Sequence, residues 1–251
     1  FDSRWDIDIH KQTTRWDTIA HWMKYYRGLK SMGAPVDVVT MAHDLSAYPF
    51  VVAPAYQLAD DAVIAKWRAY AEAGGNLVLT ARTAEKDTRG HFPEMLWAER
   101  IWSLIGAKLP KYDLLPGNLE GTVTSEGVRY KWGSWADILE PQAGTTALAT
   151  YADQFYAGKA AAVTHKLGKG SVTYIGVDTV DGSLEAALLR KVWTSAGAAP
   201  AMLKPDFVVD WRDGFWVATN FTSTAQTIPA KAGTAVLIGS RTVPPGGVAI
   251  W

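Results

Sequence analysis

The sequence predicts an open α/β sheet covered by helices, followed by a small antiparallel β module. Three observations carry this. Short apolar runs rich in Val and Leu alternate with longer segments whose apolar residues recur at helical spacing, and such alternation favours parallel strands joined by helical crossovers. Gly and Pro punctuate the joints. Beyond Ala196-Gly197-Ala198-Ala199-Pro200, which reads as a linker, the pattern changes to two-residue alternation around Asp213-Gly214.

The elements follow in order. Phe1-Asp2-Ser3-Arg4-Trp5 has no initiator Met and no signal-peptide pattern, so the chain is expected to begin inside a larger protein, with a strand before its first helix. Thr14 opens that helix, in which Trp16, Ile19, Ala20, Met23 and Tyr26 share a face up to Gly33. Val36-Asp37-Val38-Val39-Thr40 is predicted as a strand, and Phe50-Val51-Val52-Ala53-Pro54 as a second, more buried one. Asp60 caps a helix carrying Val63, Ile64, Trp67, Tyr70 and Ala71 on one face, and Gly74-Gly75 ends it. Asn76-Leu77-Val78-Leu79-Thr80 follows as a strand, then Met95 to Ile105 as a helix. Pro110 to Ala143 is predicted irregular and β-rich. Ala160 to Gly176 reads as a hairpin turning at Gly168-Lys169-Gly170, and Ser183 begins a helix through Leu184, Ala187, Leu188 and Val192. Strand-like runs from Phe207 to Phe221, Ala235 to Ile238 and Val248 to Trp251 make up the β module.

Composition narrows the function. Apolar residues make up 48% of 251 residues and charged residues 20%, enough to bury a core and too hydrophobic for a solvated tail. Basic and acidic residues balance at 25 each without a Lys/Arg run, which leaves no electrostatic footprint for nucleic acid or an anionic membrane. Apolar runs fall far below the roughly 20 residues that span a bilayer. With no cysteine, the chain has no disulfide, thiolate nucleophile or Cys-based zinc site. Its expected compartment is the cytoplasm.

Candidate chemistry is sparse. A nucleophile on an open α/β sheet sits on a tight turn after a strand, and here that turn is Ala81-Arg82-Thr83-Ala84. Thr83 needs an activating base, and Gly176-Val177-Asp178 stands where a His-x-Glu pair would be sought. Glu72, Glu94, Glu99 and Glu185 fall on predicted helices and read as solvated faces, while Asp2, Asp6 and Asp8 read as a flexible start or as acids along one side of an extended segment. His10, His21, His43, His91 and His165 lack metal-ligand spacing, although His43-Asp44 follows a strand and could line the cleft at the sheet edge. Gly74-Gly75 precedes a strand instead of opening a helix after one, so no nucleotide cofactor or metal is implied. Trp211, Trp216 and Trp251 in the β module could stack on a sugar ring, or form the core that a module of this size needs. Asn220-Phe221-Thr222 matches a glycosylation acceptor and reads as incidental.

Taken in order, Phe1-Asp2-Ser3-Arg4-Trp5, Tyr25-Tyr26-Arg27-Gly28-Leu29, Val36 to Val39, Phe50 to Ala55, Gly74 to Thr80, Leu139-Glu140-Pro141 and the stretch Ala149 to Gly176 resemble the non-catalytic trimerisation region of the β-galactosidases of glycoside hydrolase family 42. Residues 201–251 resemble that family's short C-terminal β domain. The resemblance implies a class I glutamine amidotransferase-like, flavodoxin-like domain over residues 1–200, stripped of its nucleophile, that holds subunits together as a homotrimer and supports the catalytic barrel of the same parent chain. That parent would be a retaining β-galactosidase with two catalytic glutamates on a preceding (β/α)8 barrel. The family's acid follows Asn, whereas Asn76, Asn118 and Asn220 here precede Leu, Leu and Phe, so this chain is expected to be inactive alone. A free-standing carbohydrate-binding protein using Trp211 and Trp216, and a divergent hydrolase using Thr83 or an acidic pair, are the alternatives.

Overall fold

The computed structural model describes residues 2–251; Phe1, which opens the first of the motifs above, lies outside the described residues. The chain falls into two compact units, one of residues up to Tyr25 with Val39–Glu185, the other of Tyr26–Val38 with Ala186–Trp251.

The first unit is built on a nine-stranded mixed sheet. Helix α1 (Asp2–Ile9) is followed by α2 (Thr18–Ser31), β1 (Phe50–Ala53), α3 (Asp61–Ala73), β2 (Asn76–Thr80), α4 (Glu99–Ile105), β3 (Ala107–Asp113), β4 (Gly121–Ser125), β5 (Val128–Pro141), β6 (Thr145–Tyr151), β7 (Ala160–Leu167), β8 (Gly170–Ile175) and β9 (Val177–Thr179). The strands lie in the order β1-β2-β8-β7-β6-β4-β5-β3, with β9 against β5. β1, β2 and β8 run parallel; the ladders beyond them are antiparallel. The expected parallel sheet is thus confined to three strands. Parallel neighbours need a crossover, and α3 supplies one between β1 and β2, whereas β7 follows β6 and β8 follows β7 through short connections that permit only antiparallel pairing.

Local chemistry explains the well-formed elements. Asp60 Oδ1 accepts from Val63 N at 2.9 Å at the start of α3, and Ile64, Trp67, Tyr70 and Ala71 form its buried stripe. Leu77 to Thr80 of β2 are buried without a break, as expected of a parallel strand covered on both faces. Leu77 and Leu79 join Trp67, Ile101, Leu104, Val163 and Val172 in one core; Val78 and Thr80 point the other way. The β7–β8 turn uses Gly168 at φ +60, and a Cβ there would lie 2.6 Å from the Glu72 backbone.

Five expectations are corrected. Asp2–Ile9 is a helix, not an extended or flexible start: Asp2 sits in its first turn and Arg4 pairs with Asp8 at 3.3 Å, one turn on. α2 begins at Thr18, not Thr14, with Asp17 Oδ1 accepting from Ala20 N at 2.9 Å. Val36–Thr40 adopts no regular secondary structure and Val38 is 92% exposed, since β propensity makes a strand only where side chains find a surface to pack on. The stretch from Pro110 to Ala143 is β-rich as expected but irregular only between its strands β3, β4 and β5, which form antiparallel ladders, and α4 starts at Glu99 because Ala98 at φ 49 interrupts the run from Met95.

In the second unit β10 (Phe207–Arg212) and β11 (Phe215–Asn220) form a hairpin through Asp213-Gly214, and β14 (Val248–Ile250) pairs with β11; β12 (Gln226–Thr227) and β13 (Thr242–Val243) make a separate two-stranded ladder. Helix α5 (Ser183–Ser195) leads into this unit. Phe207, Val209, Ala218, Ile228, Val243 and Ala249 are its core. Lys30 Nζ donates to Val209 O at 2.7 Å and pairs with Asp210 at 3.2 Å; burial draws its pKa down and the Asp210 carboxylate opposes that.

Candidate functional site

The carboxyl ends of β2 and β9 bring together a chain of polar side chains. Asp178, on β9, accepts from His21 Nδ1 at 2.8 Å, and His21 Nε2 lies 3.0 Å from Thr80 Oγ1 at the end of β2. With Nδ1–H committed to the carboxylate, Nε2 is left to accept the threonine proton, the order of an acid, base and hydroxyl nucleophile. Lys24 Nζ donates to Asp178 Oδ1 at 2.6 Å, and Ser134 Oγ donates to Oδ2. Burial alone would raise the Asp178 pKa, but the hydrogen bonds from His21 and Lys24 and the Lys24 charge hold it at about 2.

Connectivity is not access. Thr80 is 0% exposed, and its Oγ1 already accepts the Ala55 amide at 2.7 Å. A carbonyl carbon needs open space about 3 Å from the nucleophile and an oxyanion donor beyond it, and both directions are filled. The array ties α2, β2 and β9 together without presenting a reactive group.

A second buried cluster lies on the turn after β2. Arg82 (φ 67) and Ala84 (φ 57) are in the left-handed region, where neither residue settles without tertiary support. The Arg82 guanidinium lies 5.0 Å from the Trp16 ring and 4.5 Å from the Trp135 ring, and donates to Lys11 O at 3.1 Å and to Gln12. Glu85 accepts from Gln57 Nε2 at 2.6 Å and stands 3.7 Å from Arg82 Nε; burial raises its pKa against the pull of Arg82. Asp137, under this turn on β5, is pushed up to about 7 by burial, although Tyr174 and Trp135 both donate to it. Among the described residues, no group of three or more His, Asp or Glu is arranged to hold a metal ion.

The residues singled out from sequence are scattered. Thr83 is buried and donates to Thr80 O at 2.7 Å. His43 Nδ1 accepts from Thr40 N at 3.3 Å, and Asp44 accepts from Ser46 N at 2.9 Å, capping a short turn beside a hollow of about 460 Å³. Asp6 pairs with Lys86 at 2.6 Å, and Asp8 accepts from Thr18 at 2.9 Å. Glu185 is buried, not on a solvated face: it accepts from Thr179 N at 2.9 Å. Sequence reasoning missed His21, Thr80 and Asp178 as a set. The available signal was that Thr80 ends one predicted strand and Asp178 follows another, and carboxyl ends of strands in an α/β sheet lie along one edge.

Residues 1–200 match the family described as β-galactosidase trimerisation domain, and residues 210–251 match the β-galactosidase C-terminal domain. The chain belongs to the β-galactosidases of glycoside hydrolase family 42, as their trimerisation domain. A β-galactosidase of Haloferax lucentense is 34% identical over 97% of this chain, and a β-galactosidase structure from Halorubrum lacusprofundi superposes with a TM-score of 0.88 at 29% identity over 99% of it. The structure of the Bacillus circulans sp. alkalophilus enzyme shares the fold, with a TM-score of 0.82 at 18% identity over 95% of the chain. The chain spans 36%, 38% and 38% of those three proteins respectively. Among the described residues of the trimerisation domain and its β module, no helix is long and apolar enough to cross a membrane.

In the C-terminal module Trp211 is 43% exposed and meets Trp216 edge-on at 5.4 Å, while Trp216 stacks with Trp251 at 6.3 Å and an interplanar angle of 14°. Trp216 and Trp251 pack against the module's core. Asn220 is fully buried, with Nδ2 donating to Thr224 O and Val243 O at 2.9 Å each, so its side chain is a structural tie in the following turn.

Proposed function

We propose that this chain joins three subunits of a β-galactosidase, and that hydrolysis of terminal β-galactosides belongs to a catalytic barrel elsewhere in the same polypeptide. The observation that carries this reading is the match of residues 1–200 to the β-galactosidase trimerisation domain, and the Asp178–His21–Thr80 array, which has catalytic connectivity but is buried, is in keeping with it. We assign residues 1–200 to the trimerisation domain and residues 201–251 to the small C-terminal β domain. We also read the first as a variant of the amidotransferase-like, flavodoxin-like fold. Its parallel strands β1, β2 and β8, and the left-handed turn at Arg82 where such domains place a nucleophile, support that ancestry.

Sedimentation of the full-length protein tests the assembly, with a trimer expected at micromolar concentration, and a monomer at high micromolar concentration would remove the proposed role. The 251-residue chain should not hydrolyse a chromogenic β-galactoside. Turnover that copurifies with it and is lost on substituting one of its own carboxylates would refute the division of labour.

A further inference from the structure

The three-stranded sheet of the C-terminal module is apolar on both faces. Its inward face is complete, with Phe207, Val209, Ala218 and Ala249 buried in the module's core. The register sets Val208 opposite Thr219, Asp210 opposite Val217 and Arg212 opposite Phe215, with Val248 and Ile250 beyond them on β14, and all of these lie on the other face. An antiparallel sheet with that face in water would carry polar residues there. Val208, Phe215, Val217, Val248 and Ile250 hold most of it instead, and Val208, Phe215 and Val248 are 36%, 46% and 43% exposed. Ile238, bridged to Ile250 and 57% exposed, widens the patch, while Asp210 and Arg212, paired at 2.7 Å, supply charge beside it.

The core closes without these side chains, so their apolar surface stabilises little until something else covers it. Size separates the candidate covers. Strands of up to six residues at about 3.4 Å per residue, three of them about 4.8 Å apart, give the face roughly 300 Å² at most. A stable contact between separate molecules takes about 800 Å² from each partner, whereas contacts between domains of one chain begin near 600 Å² in total, about 300 Å² a side. A tethered partner is also held at roughly millimolar effective concentration, so a small apolar face suffices to keep it docked. The relatives have chain enough to provide one: this sequence spans 36% of the Haloferax lucentense enzyme and 38% of the Halorubrum lacusprofundi structure, so more of a polypeptide of that length lies outside these residues than within them.

We propose that the outward face of this sheet packs against the part of the parent polypeptide that lies outside these 251 residues. Its complement there is an apolar patch with polar groups at the border to meet Asp210 and Arg212. The proposal rests on the reading that a catalytic barrel belongs to the same polypeptide.

Phe215 is aromatic and half exposed, so a photoreactive aromatic residue can replace it. In the full-length protein carrying Phe215→benzoylphenylalanine, irradiation should join that ring to a peptide outside these residues, with the product keeping the mass of one chain on a denaturing gel. Its yield should exceed by about tenfold that from Ser223→benzoylphenylalanine, in the exposed turn after β11. A product of doubled mass assigns the face to a second copy and overturns the proposal. A link within these residues, or equal yields at the two positions, overturns it as well. As a second measure, Val248→Asp sets a charge in the contact and should speed tryptic cleavage of the module about tenfold in the full-length protein but not in the 251-residue chain; equal effects in both refute the docking. Contrary results in a full-length protein that hydrolyses galactosides remove this contact alone, and a full-length protein without that turnover refutes the reading beneath it too.

Discussion

Replacing Asp137 by asparagine should stabilise the protein at high pH and change it little at low pH. Asp137 is fully buried on β5, and burial raises its carboxyl to about 7, above its ordinary value of 3.8. A folded-state pKa above the unfolded one means that the native protein holds a proton the unfolded chain releases, so stability is full below about 4 and falls as pH rises through about 7. The slope inside that window is about 1.4 kcal/mol per pH unit, and between pH 5 and 8 the cost grows by about 2.5 kcal/mol. Asparagine can copy the protonated acid. Trp135 Nε1 donates to Oδ1 at 2.8 Å, which the amide oxygen can accept, and the Tyr174 hydroxyl, 2.7 Å from Oδ2, can turn to accept from the amide NH2. Urea denaturation of both proteins at pH 5, 6, 7 and 8 measures the difference, in which other titrating groups cancel unless they couple to Asp137. The variant's advantage should grow by about 2.5 kcal/mol across the series. An unchanging difference would show that Asp137 ionises freely in the folded state and would refute the reasoning.

The Asp178 pair of effects has the opposite sign. Its carboxyl is held at about 2, so it contributes stability above pH 4, about 2 kcal/mol, that is lost as acid protonates it between 4 and 2. Asp178→Asn leaves Lys24 and His21 without their carboxylate and should cost about 3 kcal/mol at pH 7, read as a lower urea midpoint; a change under about 0.5 kcal/mol would mean the array bears no structural load. In the C-terminal module, Trp216→Ala should lower stability by about 3 kcal/mol and Trp211→Ala by much less, with lactose neither quenching fluorescence nor adding heat in calorimetry. Saturable binding lost in Trp211→Ala, with circular dichroism unchanged, would make that surface a sugar site.

Local rules recovered α3 because everything that defines it is in its own sequence: a capping Asp60, a stripe of Ile64, Trp67, Tyr70 and Ala71, and Gly74 at the end. The same reasoning failed at Val36–Thr40, whose residues favour a strand but whose pairing depends on what lies beside them. It recovered only the β-rich character of Pro110 to Ala143, not the antiparallel ladders of β3, β4 and β5 that run through this Gly- and Thr-rich sequence. There the register is set by partners far along the chain, such as Tyr112 opposite Asp137 and Thr124 opposite Thr150.

The buried array marks the deeper limit. Thr80, His21 and Asp178 are separated by 59 and 98 positions along the sequence, and only the crossing of α2 over the ends of β2 and β9 makes them neighbours. Once joined, they have the hydrogen-bond order of a hydrolytic triad, and sequence alone cannot say whether they form a site or a strut. The distinction is made by the surroundings. The Ala55 amide occupies the Thr80 oxygen, Lys24 and Ser134 fix Asp178, and the Thr80 side chain has no exposed face. A hydroxyl that must leave a hydrogen bond, with no open volume in which to meet a substrate, gains nothing from the base beside it. The same closure that silences the chemistry pins α2 to the sheet through His21 and Lys24.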